Sequence, residues 1–401
     1  MFGQGPLDFF RRRNARGRLH PRSSGCGAAV RMRRQFQRIV ALPLYGIGDV
    51  LMTTPALRNI KQKLGASITY LHMFQSTKEI LEGNPFVDEN IHFPFLDAGR
   101  AASVRFLLKF RGRFDASINF YPSNRRDYSL AAFIIGSPVR IGHRYDTYDL
   151  RELNFLKNRT VRERAGLHNV EENMRLLELL GGGEAVAGPM EIYLNDEETE
   201  FASGWLKERA IEGARLIGIH AGASAFKNHY NKRWPADRFA GLIAELGCRY
   251  PDAAFLVFGG PEEEELKEAL REASGIARRA HNVRGGIRQS AALVQRCRAF
   301  VTNDSGLMHM AAALQVPTVA IFGPTNPAWV RPWMCPHRVV SLGPHCGPCF
   351  RYSPAPLRCR EEKDFSCLAG IGVDDVLGAA VSLLEPEAVR EHGVKPRGEP
   401  R

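Results

Sequence analysis

The second half of the chain alternates short apolar runs with segments of helical period, and this alternation restricts the fold more than any other feature of the 401 residues. "RLIGIHAG", "AAFLVFGG", "RAFVTND" and "PTVAIFG" read as strands, and "PADRFAGLIAELGCRY", "PEEEELKEALREA", "GIRQSAALVQRC" and "GLMHMAAALQ" as the helices between them. Parallel strands with crossover helices follow from that order. The first half repeats the theme less cleanly. "RIVALPL", "SITYLHMF" and "FDASINFY" read as strands, residues 50–64 as one helix with Val50, Leu57, Ile60 and Leu64 on one face, and "HNVEENMRLLELLGGG" as a helix stopped by glycines. A polar, glycine-containing stretch near 181–200 is the expected linker. The expectation is therefore an α/β chain of two domains, 37–190 and 191–385, preceded by an arm (1–36) and followed by a tail (386–401).

No window reaches the ~18 uninterrupted apolar residues of a membrane span, and the N-terminus lacks an apolar core followed by a small-residue cleavage site. The expected location is therefore the cytoplasm. The net charge of +12 is concentrated: residues 1–38 hold ten arginines against one acid, Asp8. Such an arm suits anionic lipid, nucleic acid or a transit peptide, while the plainer reading is a disordered tail. Met32 would also make a sensible start.

In open parallel sheets ligands gather at the carboxyl ends of the strands. Residues just after each strand thus become the candidates: Gly46 to Asp49, His220 to Ser224, Gly259 to Glu263, Asn303 to Gly306 and Gly323 to Asn326. Ser305 is a suitable N-cap and Gly306 lets a ligand approach the backbone, so the helix start there suits a phosphate. His309 lies one turn further in, and Asp304 can accept from sugar hydroxyls. The plain alternative is a helix cap with a helix-face histidine. Lys227, Lys232 and Arg233 follow the strand "RLIGIHAG" and can stabilise a departing diphosphate. Glu262 and Glu263 open a helix, where they serve equally as caps or as ribose acceptors. "GIGD" falls short of the dinucleotide fingerprint, which argues against a nicotinamide enzyme.

Four of the eight cysteines, Cys346, Cys349, Cys359 and Cys367, fall within 22 residues. In a chain without a secretion signal this spacing points to a tetrahedral Zn or Fe site before disulfides, with reduced thiols as the alternative. Its place after the other motifs argues against a catalytic role.

"GDVLMTTPAL", "GIHAGAS…KRWPADRFAGLI", "FGGPEEEE", "TNDSGLMHMAAAL" and "AIFGPTNP" together resemble glycosyltransferase family 9, the ADP-heptose:lipopolysaccharide heptosyltransferases, from about residue 37 to 385. The resemblance implies a GT-B architecture: two Rossmann-like domains with parallel sheets facing across a cleft, the acceptor held by the first and the nucleotide sugar by the second. It implies metal-independent, inverting transfer of a heptose from an ADP-sugar donor to the lipopolysaccharide inner core, at the inner face of the inner membrane. Asp49 is then the general base. Lys232, Asp304, Ser305, Gly306 and His309 are donor-binding, joined by Ser224 and Glu263. Arg125, Arg126 and Arg144, near loop exits with Arg140 and His143, suit an anionic acceptor, or else form a solvated basic surface. A cysteine-rich segment before the last helix also occurs in such proteins, where a structural metal is the expectation.

Two other readings compete. One is a transferase of the same fold using another nucleotide sugar or a protein acceptor. The other is a nucleic-acid binder combining the arginine arm with a four-cysteine zinc knuckle. Against the second, the core lacks interleaved basic and aromatic residues, so no nucleic-acid partner is expected.

Overall fold

The computed structural model describes residues 36–224, 226–352, 355–361 and 364–385. All but the end of the arginine-rich arm lies outside these residues, as do Cys26 and the tail from 386 onward.

Twelve strands form two parallel sheets. The first sheet contains β1 (Arg38–Ala41), β2 (Ser67–His72), β3 (Glu89–His92), β4 (Ala116–Ile118), β5 (Val139–Arg144) and β6 (Arg159–Arg162), in the order β3-β2-β1-β4-β5-β6. The second contains β7 (Arg215–His220), β8 (Ala253–Val257), β9 (Ala280–Asn282), β10 (Ala299–Asn303), β11 (Thr318–Ile321) and β12 (His337–Val340), in the order β12-β11-β10-β7-β8-β9. Read from the third strand of each half, the two orders are the same. This is the doubly wound arrangement, whose strand order reverses beside the first strand. The reversal falls between β1 and β4, where Ile39 pairs with Ala116, and between β7 and β10, where Ile217 pairs with Ala299. The crevices above those two pairs are where ligands are expected.

The apolar runs of the second half become strands because nearly every residue in them is covered: β8 and β10 are buried throughout. The halves are not independent. Ile39, Leu57 and Ile118 of the first half and Leu256, Phe300 and Met308 of the second belong to one continuous apolar cluster. Arg288 fastens the join. It donates to Glu198 Oε1 at 2.6 Å and to the carbonyl oxygens of Glu79 and Glu82 at 3.3 and 3.2 Å.

The helix expected over 50–64 is two helices, α1 (Ile47–Leu51) and α2 (Thr54–Leu64). Pro55 has no N–H for the carbonyl of Leu51, and the Thr54 hydroxyl donates to that oxygen instead at 2.8 Å. Thr53 does the same for Val50 at 2.7 Å. The break leaves α1 as a short turn aimed into the crevice, and α2 ends on Gly65 at φ 63°. The expected helix at 261–273 likewise starts as a 3-10 turn, Pro261–Glu263. The strands and helices read elsewhere lie where expected, with trimmed ends. Between 181 and 195 there is no regular element, and a helix begins at Asp196.

Candidate active site

The crevices of the two sheets open into one cleft of about 1240 Å³. Its wall includes Gly46 to Asp49 after β1, Asn124 and Arg125 after β4, His220, Ala223 and Ser224 after β7, and Asp304 to Leu307 after β10. Those are the exits of the four strands that flank the two reversals.

Asp49 is the third residue of α1, inside the helix rather than at its cap, and its Oδ2 accepts the Gly46 N–H at 3.2 Å. The carboxylate is half-buried and still faces the cleft. Burial lifts it to about 6, against the Gly46 hydrogen bond and the nearby Lys232 charge, which pull it down. At neutral pH it is an ionised base with an unusually strong hold on a proton.

Packed against this turn stands α3 (Gly306–Ala313). Ser305 occupies the N-cap position, as the sequence indicates, but its hydroxyl does not cap the helix. The Ser305 Oγ lies 3.0 Å from His220 Nδ1 instead. The first N–H groups of α3 are therefore not taken by the cap side chain, at the positive end of the helix dipole.

The sequence-predicted donor residues Ser224, Lys232, Glu263, Asp304, Ser305, Gly306 and His309 all line this cleft. Lys232 Nζ donates to Asp304 Oδ2 at 2.8 Å, both side chains being nearly covered, and lies 3.9 Å from the centre of the Phe350 ring. Burial pushes the Asp304 carboxyl up, but Lys232 outweighs it and holds the group below its ordinary value. Glu263 accepts from Arg233 at 2.8 Å and from the Gly260 N–H at 3.3 Å, and lies 3.3 Å from His220 Nε2. His220, at one of the candidate strand exits, thus bridges Ser305 and Glu263, a role that no local motif signals. Ser224 lines the cleft and its Oγ accepts the Phe226 N–H at 3.2 Å. His309 is buried, which lowers it to about 4 and keeps it neutral, and its Nδ1 has no hydrogen-bond partner among the described residues.

The three predicted acceptor arginines separate. Arg125 lines the cleft, its guanidinium 5.0 Å from the Tyr45 ring, with a buried Nη1 that has no partner among the described residues. Arg126 and Arg144 are exposed and are not part of the cleft wall, and Arg144 is paired with Asp149. Arg140 is spent on the carbonyl oxygens of Leu156 and Ser137, and His143 is buried against Glu172 at 3.0 Å. Lys227, half-buried beside Arg125, is lowered to about 8 by burial first and that charge second. Aromatic residues that carry no local signal complete the wall: Tyr45 stacks on Phe226 across the two halves at 4.6 Å.

Cys346, Cys349, Cys359 and Cys367 all line a second pocket of about 80 Å³. Among the described residues, no group of three or more His, Cys, Asp or Glu side chains is arranged to hold a metal ion. The thiols thus share a pocket without forming a ready ligand set. The segment that bears them also reaches the main cleft, which its place in the chain does not reveal. Cys349, Phe350, Arg351 and Tyr352 also line the main cleft.

The model of glycosyltransferase family 9 (heptosyltransferase) matches residues 111–357. Among curated proteins, the chain is 24% identical over 353 residues to lipopolysaccharide heptosyltransferase 3 of Escherichia coli K12, covering 85% of this chain and 96% of that protein. It is 34% identical over 141 residues to lipooligosaccharide heptosyltransferase 2 of Haemophilus influenzae, covering 34% of this chain and 39% of that protein. The match to the Campylobacter jejuni protein of the same name spans about half of that protein, 52%. Among solved structures, the glycosyl transferase family 9 protein of Veillonella parvula superposes with a TM-score of 0.71 at 25% identity, over 89% of this chain and 99% of that one. The E. coli ADP-heptose heptosyltransferase II shares the fold, with a TM-score of 0.67 at 22% identity over 88% and 100% of the two chains. With the two doubly wound sheets and their common cleft, the family match places this chain in glycosyltransferase family 9.

Proposed function

We propose that the cleft transfers a heptose from an ADP-heptose donor to a hydroxyl of the lipopolysaccharide inner core, with inversion at the anomeric carbon. The observation that carries this reading is that Asp49 and the start of α3, on two turns packed against each other, line the same cleft. A base beside a set of anion-stabilising donors matches the two demands of an inverting displacement. The names of the curated relatives support the sugar and acceptor class.

In the reaction, Asp49 takes the proton of the acceptor hydroxyl as its oxygen bonds to the anomeric carbon. The bond from that carbon to the diphosphate oxygen breaks on the opposite face, and ADP leaves with the bonding pair. The N–H groups at Gly306 and Leu307, with Lys232, receive the charge that grows on the diphosphate. Glu263, fixed by His220 and Arg233, is an acceptor for ribose hydroxyls. His309 is neutral, and its free ring nitrogen can exchange a hydrogen bond with a donor oxygen. Residues 37–190 serve the acceptor and 191–385 the donor. No step runs through a metal, and the cysteine pocket is assigned no ion.

An acceptor of this class is carried by an anionic membrane surface, and two helices suit contact with such a surface. In Gly99–Leu108, Arg100, Val104 and Leu108 form one exposed stripe; in Arg126–Ile135, Arg126, Leu130 and Phe133 form another. The two helices pack side by side. Arginines beside exposed apolar residues suit an anionic headgroup layer. Among the described residues no helix is long and apolar enough to cross a membrane.

Incubation with ADP-heptose and a heptose-deficient core tests the reading by the mass of the acceptor. A gain of one heptose with release of ADP is expected. ADP binding without transfer would redirect the search to another sugar or a protein acceptor, and failure to bind ADP would overturn the donor assignment.

A further inference from the structure

We infer that the described residues 350–352 and 355–360, between Cys349 and Cys367, form a recognition strap, whose Arg351, Arg358 and Arg360 bind an anionic group, carboxylate or phosphate, on the acceptor. The inference rests on the transferase reading for the acceptor's identity, but not for the existence of the site.

After β12 the chain leaves the second sheet and runs back over the cleft. Its anchors reach both halves. The Phe350 N–H donates to the Pro324 carbonyl at 2.9 Å, and the Leu357 N–H to the carbonyl of Lys227 at 2.9 Å, on the donor side. On the other side Tyr352 accepts from Asn169 Nδ2 at 2.6 Å and its ring lies 5.5 Å from that of Tyr121. The strap therefore spans from the loop carrying Lys232 to the half that holds Arg125.

The thiol pocket closes its base. Cys346 and Cys349 precede the strap, Cys359 lies within it and Cys367 follows it, and all four line one pocket. The exposed residues held out between them include Arg351, Arg358 and Arg360, all of which line the main cleft.

Among the described residues none of the three arginines is in an ion pair, whereas the nearby Arg233 is bound to Glu263. Unpaired guanidinium groups facing a concave site are suited to planar anions, which they bind in a bidentate manner. The donor diphosphate already has Lys232 and the start of α3. Arg125, with its buried unpartnered Nη1, faces the same space from the acceptor half. The strap thus adds positive charge where the acceptor's acids would lie.

The test is calorimetric titration of the full chain, without donor, with two core oligosaccharides: one bearing only a keto-acid carboxylate and one bearing only phosphate. The triple variant Arg351→Gln, Arg358→Gln, Arg360→Gln should bind at least one of them tenfold or more weakly than wild type, with ADP affinity changed less than twofold. The oligosaccharide that loses affinity identifies the anion. Replacement by lysine at the same positions should recover part of the loss. Equal binding by wild type and variant, a parallel fall in ADP affinity, or no binding of either oligosaccharide by wild type would overturn the inference. Transfer is read separately in the same preparation. A wild type that binds the oligosaccharide yet releases no ADP from ADP-heptose would sink the transferase reading and leave the strap standing.

Discussion

Gly48 and His309 touch across the two halves of the molecule: a Cβ on Gly48 would run into the His309 ring. On the other side of the same contact, a Cβ on Gly306 would come within 3.4 Å of Ile47 Cβ. The base-bearing turn and the start of α3 are therefore closely packed, and at Gly48 that packing leaves no room for a side chain.

Gly48→Ala should consequently force α1 and α3 apart. Overpacking of this kind costs about 1–3 kcal/mol. Misplacement of the base relative to the donor should lower kcat by roughly 10- to 100-fold. Thermal unfolding and steady-state kinetics check the two parts, and a variant with wild-type kcat would mean that the contact does not set the catalytic geometry.

Asp49 separates its helix role from its chemical one in Asp49→Asn, because asparagine can still accept the Gly46 N–H. The native carboxyl is raised from 3.8 to about 6, so the folded state holds the proton more tightly than the unfolded chain. That contribution favours folding below pH 4 and is lost as pH rises to 6. Asp49→Asn should therefore be at least as stable as wild type at pH 7.5, with the difference opening between pH 4 and 6 and closing below it. Denaturant unfolding at several pH values measures this.

Lys232 is the sole ion-pair partner of Asp304 among the described residues, and both are nearly covered. Lys232→Met should leave a buried carboxylate unpaired, at about 3–5 kcal/mol of stability, and lift the Asp304 pKa because burial would then dominate. The double variant with Asp304→Asn should lose less stability than Lys232→Met alone. Both should bind ADP more weakly, since the cation is missing in each. A double-mutant cycle with ADP titration resolves the two effects.

The two exposed stripes make a membrane prediction independent of catalysis. Replacing Leu108 and Phe133 with serine and Arg100 and Arg126 with glutamine should reduce binding to vesicles containing anionic lipid by tenfold or more. Charge near such a surface contributes about 1 kcal/mol per basic residue. Turnover on a soluble core oligosaccharide should not change. Co-sedimentation with vesicles, with and without anionic lipid, is the measurement.

Much of this architecture was legible in the chain because parallel strands buried on both faces announce themselves as apolar runs, as in "AAFLVFGG", and because the residues at their exits are next to them in sequence. Short strands such as Ala280–Asn282 gave no such signal. The break at Thr53 was hidden because it depends on hydroxyl hydrogen bonds around Pro55, within a segment whose apolar spacing continues regardless. Asp49, Lys232, Asp304 and His309 could be singled out from local motifs. Tyr352, the Tyr45–Phe226 stack and the bridging role of His220 could not, since each depends on partners tens to hundreds of residues away. The approach of the cysteine segment to the cleft was hidden for the same reason: its distance along the chain from the donor motifs hides the turn that brings Cys349 to Tyr352 into the cleft wall.

The most direct test of the account is the rate of ADP release from ADP-heptose, with the core acceptor, by wild type and Asp49→Asn, across pH 5 to 9, after both are shown to bind ADP equally. Removal of a general base should lower turnover by about 10²- to 10⁴-fold. The wild-type rate should fall on the acid side with a midpoint near 6, set by the lifted Asp49 carboxyl, and that limb should be absent from the variant. Turnover by Asp49→Asn within a few-fold of wild type, with the acid limb intact, would contradict the assignment of Asp49 as the base.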